Sequence, residues 1–83
     1  MKTLILTIAC KSTRGIVAAV SGYLARNGCN ISDSSQFNDL DTGQFFMRVS
    51  FISAESVSRD VLADGFAEVA QLFGMEWGIF DTT

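Results

Sequence analysis

The stretch TLILTIACKSTRGIVAAVSGYLARNGCNI, residues 3–31, decides the fold, because its hydrophobic period changes twice. From Thr3 to Cys10, Leu4, Leu6, Ile8 and Cys10 alternate with Thr3, Ile5, Thr7 and Ala9. That two-residue period suits a central strand covered on at least one face. Across residues 15–28 the period lengthens: Ile16, Val20 and Leu24, with Val17 beside them, share one helical face, and Gly28 supplies a stop. At Asn30 the alternation resumes, so a strand, a helix and a second strand follow one another with short connections.

Reading outward, Asn30 to Phe37 places Ile31, Asp33, Ser35 and Phe37 on one side and small polar residues on the other. So polar a strand belongs at a sheet edge. Residues Asn38 to Gly43 form a turn, and Phe45, Met47, Val49 and Phe51 mark the next strand. Residues 56–73 return to helical period with Val57, Val61, Leu62, Phe66, Val69, Leu72 and Phe73; Gly74 ends that helix, and Met75 to Phe80 is a last strand. The order β-α-β-β-α-β predicts an α+β, ferredoxin-like two-layer sandwich, an antiparallel four-stranded sheet with both helices on one face. The other sheet face is then solvated or covered by a partner. The chain reads as one domain, with a folded core over 1–80 and residues 81–83 leading into a linker.

Eighty-three residues form one small domain, and a chain of this size buries only about 60% of the surface its unfolded form exposes. The 48% hydrophobic content, with seven Phe, favours a dense core and leaves apolar surface for an interface. A net charge of −3 and a pI near 4.5 argue against a grip on nucleic acid or anionic lipid. Cys10 and Cys29 fit no zinc or redox spacing and read as reduced thiols of a cytoplasmic protein. The start MKTLILTIAC mimics a lipoprotein signal, but the apolar run from Leu4 to Ala9 is too short for one and Lys11 follows at once. No stretch approaches the roughly 20 apolar residues of a membrane span.

The predicted topology hosts unrelated activities, so each is tested at its own positions. A soft-metal carrier needs a second thiolate after the first strand, but three residues beyond Cys10 stands Thr13, and the chain has no histidine. An RNA-recognition strand would match at Gln44–Phe51, yet only Phe46, Val49 and Phe51 fit the pattern, and these phenylalanines read better as strand core. Asp39 and Asp41 with Gly43 echo a calcium loop without its closing glutamate, and a hairpin turn explains them. With no histidine the commonest general base is absent, so the chain by itself is expected to carry no catalytic residue and no cofactor.

A small-molecule sensor remains. Ser12 or Thr13 can cap the helix that begins near Gly15, leaving outward N–H groups that favour a carboxylate. Gly15 lets a ligand approach the backbone, and Asn30, expected near this loop, could pair with an amino group or a carboxylate. A plain capped helix with a Gly and an Asn turn would carry the same residues, and the pattern alone does not choose.

Cys10, then Gly15-Ile16-Val17-Ala18-Ala19-Val20-Ser21, Leu24 and Gly28-Cys29-Asn30-Ile31 resemble an ACT domain. Asp33-Ser34, Gln36-Phe37 and Asp41-x-Gly43-x-Phe45-Phe46-Met47-Arg48-Val49 narrow this to a resemblance to the amino-terminal ACT domain of formyltetrahydrofolate deformylase. That resemblance implies a regulatory or assembly domain of an enzyme that hydrolyses 10-formyltetrahydrofolate to formate and tetrahydrofolate, serving one-carbon and purine metabolism. It implies a homodimer or higher oligomer, paired through sheet edges or helices, with glycine or methionine as effector. By position, the effector site would comprise Ser12, Thr13, Arg14, Gly15 and Ile16 with Asn30 and Ile31. The chain departs from the family in the first loop: where relatives read Cys-Pro-Asp-Arg-Pro-Gly, it has Lys11, Ser12, Thr13 and Arg14 before Gly15.

Overall fold

The structure, a computed structural model, describes residues 2–54 and 56–82; Thr83, the end of the expected linker, lies outside them. The elements are β1 (Lys2–Lys11), α1 (Ile16–Arg26), β2 (Asn30–Asp39), β3 (Gln44–Ser53), α2 (Arg59–Phe73) and β4 (Glu76–Asp81). The strands form one antiparallel sheet in the order β2-β3-β1-β4, the expected βαββαβ sandwich.

Parity builds the core. Leu4, Leu6, Ile8 and Cys10 of β1 stand opposite Phe51, Val49, Met47 and Phe45 of β3, and all eight are buried. Residues directly opposed on neighbouring strands share a sheet face, so these two rows form the floor on which the helices lie. From above, α1 contributes Ile16, Val20, Tyr23 and Leu24, and α2 contributes Leu62, Phe66 and Ala70. Phe66 is central: its ring meets Tyr23 and Trp77 edge-on, with centroids 5.5 and 4.9 Å away. The Tyr23 hydroxyl donates to the Leu62 carbonyl at 2.7 Å and ties the helices together. Gly65 lies against that hydroxyl, and a Cβ there would collide with it.

The helical stripes are narrower than the periodicity predicts. Val17 is partly exposed, and Val61 and Leu72 are mostly so. Two helices side by side on four strands bury only the arc facing the sheet and the arc facing each other. The second helix also starts later than residue 56, at Arg59, where the Ser58 Oγ accepts the Val61 N–H at 3.2 Å. Gly74, at φ 62°, ends it. At the other helix Gly28 adopts φ 74° and the Cys29 N–H returns to the Leu24 carbonyl at 2.9 Å. The last strand continues through Asp81, and the Thr82 hydroxyl donates to the Thr3 carbonyl at 3.0 Å.

β2 lies at the sheet edge, as its polarity predicts, but its faces need correction. Ile31 pairs with Phe51, whereas Asp33 pairs with Ser50, so the register shifts between them and Ser32 forms a bulge. Ile31 therefore joins the helix-side face, while Asp33, Ser35 and Phe37 turn to the other face. The Ser32 hydroxyl holds the bulge by donating to the Ser50 carbonyl at 3.1 Å. No described helix is long and apolar enough to cross a membrane.

Candidate functional site

The loop after β1 is built differently from a capped helix start. The Ser12 N–H donates to the Gly43 carbonyl at 2.9 Å, and the Ser12 hydroxyl donates to Asn38 Oδ1 at 2.8 Å. The Thr13 hydroxyl turns back to the Lys11 carbonyl at 3.2 Å. Both hydroxyls are engaged there, and neither bonds a helical N–H. The capping position belongs to Gly15, in the left-handed region at φ 93°, and no side chain caps α1. The expected Ser12 or Thr13 cap is thus replaced by a glycine turn, and the Ser12 hydroxyl braces the β2–β3 hairpin instead. Ser12, Thr13, Arg14 and Gly15 are exposed, while Ile16 is core. The first turn of α1 presents N–H groups with no acidic side chain nearby in sequence, and Lys11 and Arg14 flank it.

Asn30 and Ile31 do not lie beside this loop. Asn30 pairs with Ile52, which pairs with Thr3, whereas Lys11 pairs with Gln44 at the opposite end of β1. At about 3.3 Å per residue, the span from Thr3 to Lys11 separates the two parts by roughly 26 Å. One chain therefore brings Ser12 to Ile16 together and leaves Asn30 and Ile31 at the far end of the sheet. The sequence pattern cannot show this, because proximity after a helix depends on which sheet end the next strand enters. An exposed Asn30 and a half-buried Ile31 mark that entry.

A second feature escapes the sequence reading. The sheet face away from the helices carries Phe37, Phe46 and Phe80, all substantially exposed, rather than a polar surface. Phe46 is therefore not strand core: it pairs with Ala9 and Phe37 on the bare face, and the Phe37 and Phe46 rings stack at 6.5 Å. Beside them Thr7, Ala9 and Gly78 floor a concavity of ≈ 600 Å³, with Phe80 leaning over Gly78. Arg48 and Glu76 border it. The signal lay in the out-facing parity of Phe46, Arg48, Gly78 and Phe80 once the core rows were known. Cys10 and Cys29 are free thiols whose pKa burial pushes up, so neither offers a ready thiolate at neutral pH.

No family model matches the chain. It is 38% identical over 74 residues to a formyltetrahydrofolate deformylase of Corynebacterium sp. (strain P-1), covering 88% of this chain and 26% of that protein. The crystal structure of a formyltetrahydrofolate deformylase from Pseudomonas syringae pv. tomato superposes with a TM-score of 0.90 at 37% identity, over 98% of this chain and 28% of that one. The chain thus spans about a quarter of the length of the deformylases it matches. An ACT domain protein from Streptococcus pneumoniae matches at 34% identity and a TM-score of 0.83, covering 96% of this chain and 89% of its own length. Agreement in sequence and backbone across nearly the whole of both chains, on a βαββαβ sandwich whose β1–α1 loop turns on a left-handed glycine, means that this chain belongs to the ACT-domain family.

Proposed function

We propose that the chain is the regulatory or assembly ACT module of a formyltetrahydrofolate deformylase, the full enzyme hydrolysing 10-formyltetrahydrofolate to formate and tetrahydrofolate. The observation that carries this is the 38% identity over 88% of the chain to an ACT-sized quarter of such a protein. The catalytic step is assigned to the remainder of the enzyme, since this chain has no histidine to serve as the commonest general base.

The effector site of such a module is completed between two copies. β2 is an edge running from Asn30 at one end of the sheet to Asp39 at the other. Pairing two β2 edges antiparallel about a two-fold axis sets Asn30 and Ile31 of one copy beside the Asn38 end of the other. There the Ser12 hydroxyl is already tied to Asn38. The uncapped first turn of α1 then faces a carboxylate, and the Asn30 amide offers both a donor and an acceptor. Glycine or methionine is the expected ligand class.

The cationic flank favours a second reading, pairing without an effector: Lys11 and Arg14 attract the carboxylate, but no acid in the loop meets an ammonium group. Calorimetric titration with glycine, methionine and serine separates the two. An effector role predicts saturable heat that is lost in Asn30→Ala, with the thermal midpoint of the unliganded protein unchanged. Absence of heat at millimolar ligand leaves the assembly role alone.

A further inference from the structure

We infer that the bare face of the sheet is a docking surface for a second copy of this chain, closed by Arg48 of one copy against Glu76 of the other. The face is self-complementary about a line between β3 and β1. On one side stand the stacked Phe37 and Phe46; on the other lies the shallow floor of Thr7 and Ala9, walled by Phe80 where it leans over Gly78. A two-fold axis along that line lays β3 over β1 of the other copy and β2 over its β4. Phe46 then faces Ala9, because the two share a register position, and the aromatic ridge of each copy enters the hollow of the other.

Charge follows the same division. Arg48 lies on β3 level with Thr7 and Gly78, while Glu76 lies on β4 level with Ala9, one side-chain step along the strands. Both side chains are exposed, and Arg48 makes no ion pair with a described residue. With sheets about 10 Å apart, the guanidinium of one copy reaches the carboxylate of the other. The two-fold repeats the contact, so each face supplies one cation and one anion to the pair.

Size sets the strength. Four strands spaced about 4.8 Å apart, each giving five or six residues at about 3.3 Å, make a face of roughly 400 Å² before corrugation. A pair would bury on the order of 800–1,000 Å², the small end of specific interfaces, and so forms a weak, concentration-dependent dimer. This surface is distinct from the β2 edge, and changes on the two elements test the two contacts apart.

The experiment is trans-complementation. Arg48→Glu alone and Glu76→Arg alone each set like charges against one another, and should weaken self-association roughly tenfold or more by sedimentation velocity. An equimolar mixture of the two variants should restore it, because both cross-copy pairs are then opposite in sign. If either variant associates as the unaltered chain does, or if the mixture stays as weak as its components, the face is not the contact. Thermal melts confirm that the variants fold. Should a charge reversal lower the midpoint, Arg48→Gln and Glu76→Gln replace them, with weakened association of each alone and partial recovery on mixing as the expected result, because the mixed pair regains one of the two ion pairs.

Discussion

The packing of α1 on α2 turns on one residue pair. A glycine inside a helix is ordinarily about 1 kcal/mol worse than alanine, so an alanine at position 65 would be expected to stabilise α2. The structure reverses that sign: a Cβ on Gly65 would strike the Tyr23 hydroxyl, and two ring carbons lie 3.3 Å from it. Gly65→Ala should therefore lose about 1–3 kcal/mol. In a Tyr23→Phe background, where the hydroxyl and its bond to the Leu62 carbonyl are both gone, the same substitution should be much less harmful. Urea denaturation of the four proteins in this cycle measures the coupling; additive effects would contradict the close approach. None of this is visible in the sequence, where Gly65 is simply a poor helix former among good ones.

At the scale of elements, periodicity located every strand and helix, and the errors arose where a single residue altered the geometry. β2 reads as one uninterrupted alternation, yet the extra residue at Ser32 splits it between two faces. Removing Ser32 would place Asp33 directly after Ile31 and still opposite Ser50, so strict alternation would return with Ile31 on the helix side and Asp33, Ser35 and Phe37 on the other. Deletion of Ser32 should therefore keep a cooperative thermal transition and the stacking of Phe37 on Phe46, with the loss confined to the local twist of the edge strand. Ser32→Ala keeps the residue count and loses only one exposed hydrogen bond, so it should cost about 0.5–1 kcal/mol. Loss of the cooperative transition on deletion would show that β2 needs the bulge itself and not only the faces it sets. The helix starts follow the same logic: the serine at position 58 caps α2 because it directly precedes the first turn, whereas Ser12 and Thr13 are displaced from α1 by the turn at Gly15.

For the whole molecule, the buried thiols and phenol set the pH dependence. Burial raises the pKa of Cys10 and Cys29, and burial, with smaller contributions from Cys29 and Asp64, raises that of Tyr23. The folded protein thus holds these protons more tightly than the unfolded chain does. The associated stability is complete below the unfolded-chain values and is lost as pH rises through the higher folded ones. These groups leave the thermal midpoint unchanged across neutral pH and lower it in the alkaline thiol and phenol range, with a shallower decline in Tyr23→Phe. An unchanged midpoint into that range would show that the three groups ionise without disturbing the core. By itself the sequence determined the element order, the two-layer class and the core rows of β1 and β3, because hydrophobic period and parity are local properties written along the chain. Only the tertiary structure decided that Asn30 enters the sheet at the end away from the Ser12 loop, that Phe46 and Phe80 face outward, and that Arg48 and Glu76 share a face. Those facts depend on strand order, register and one bulge, which arise from pairing between residues far apart in the chain.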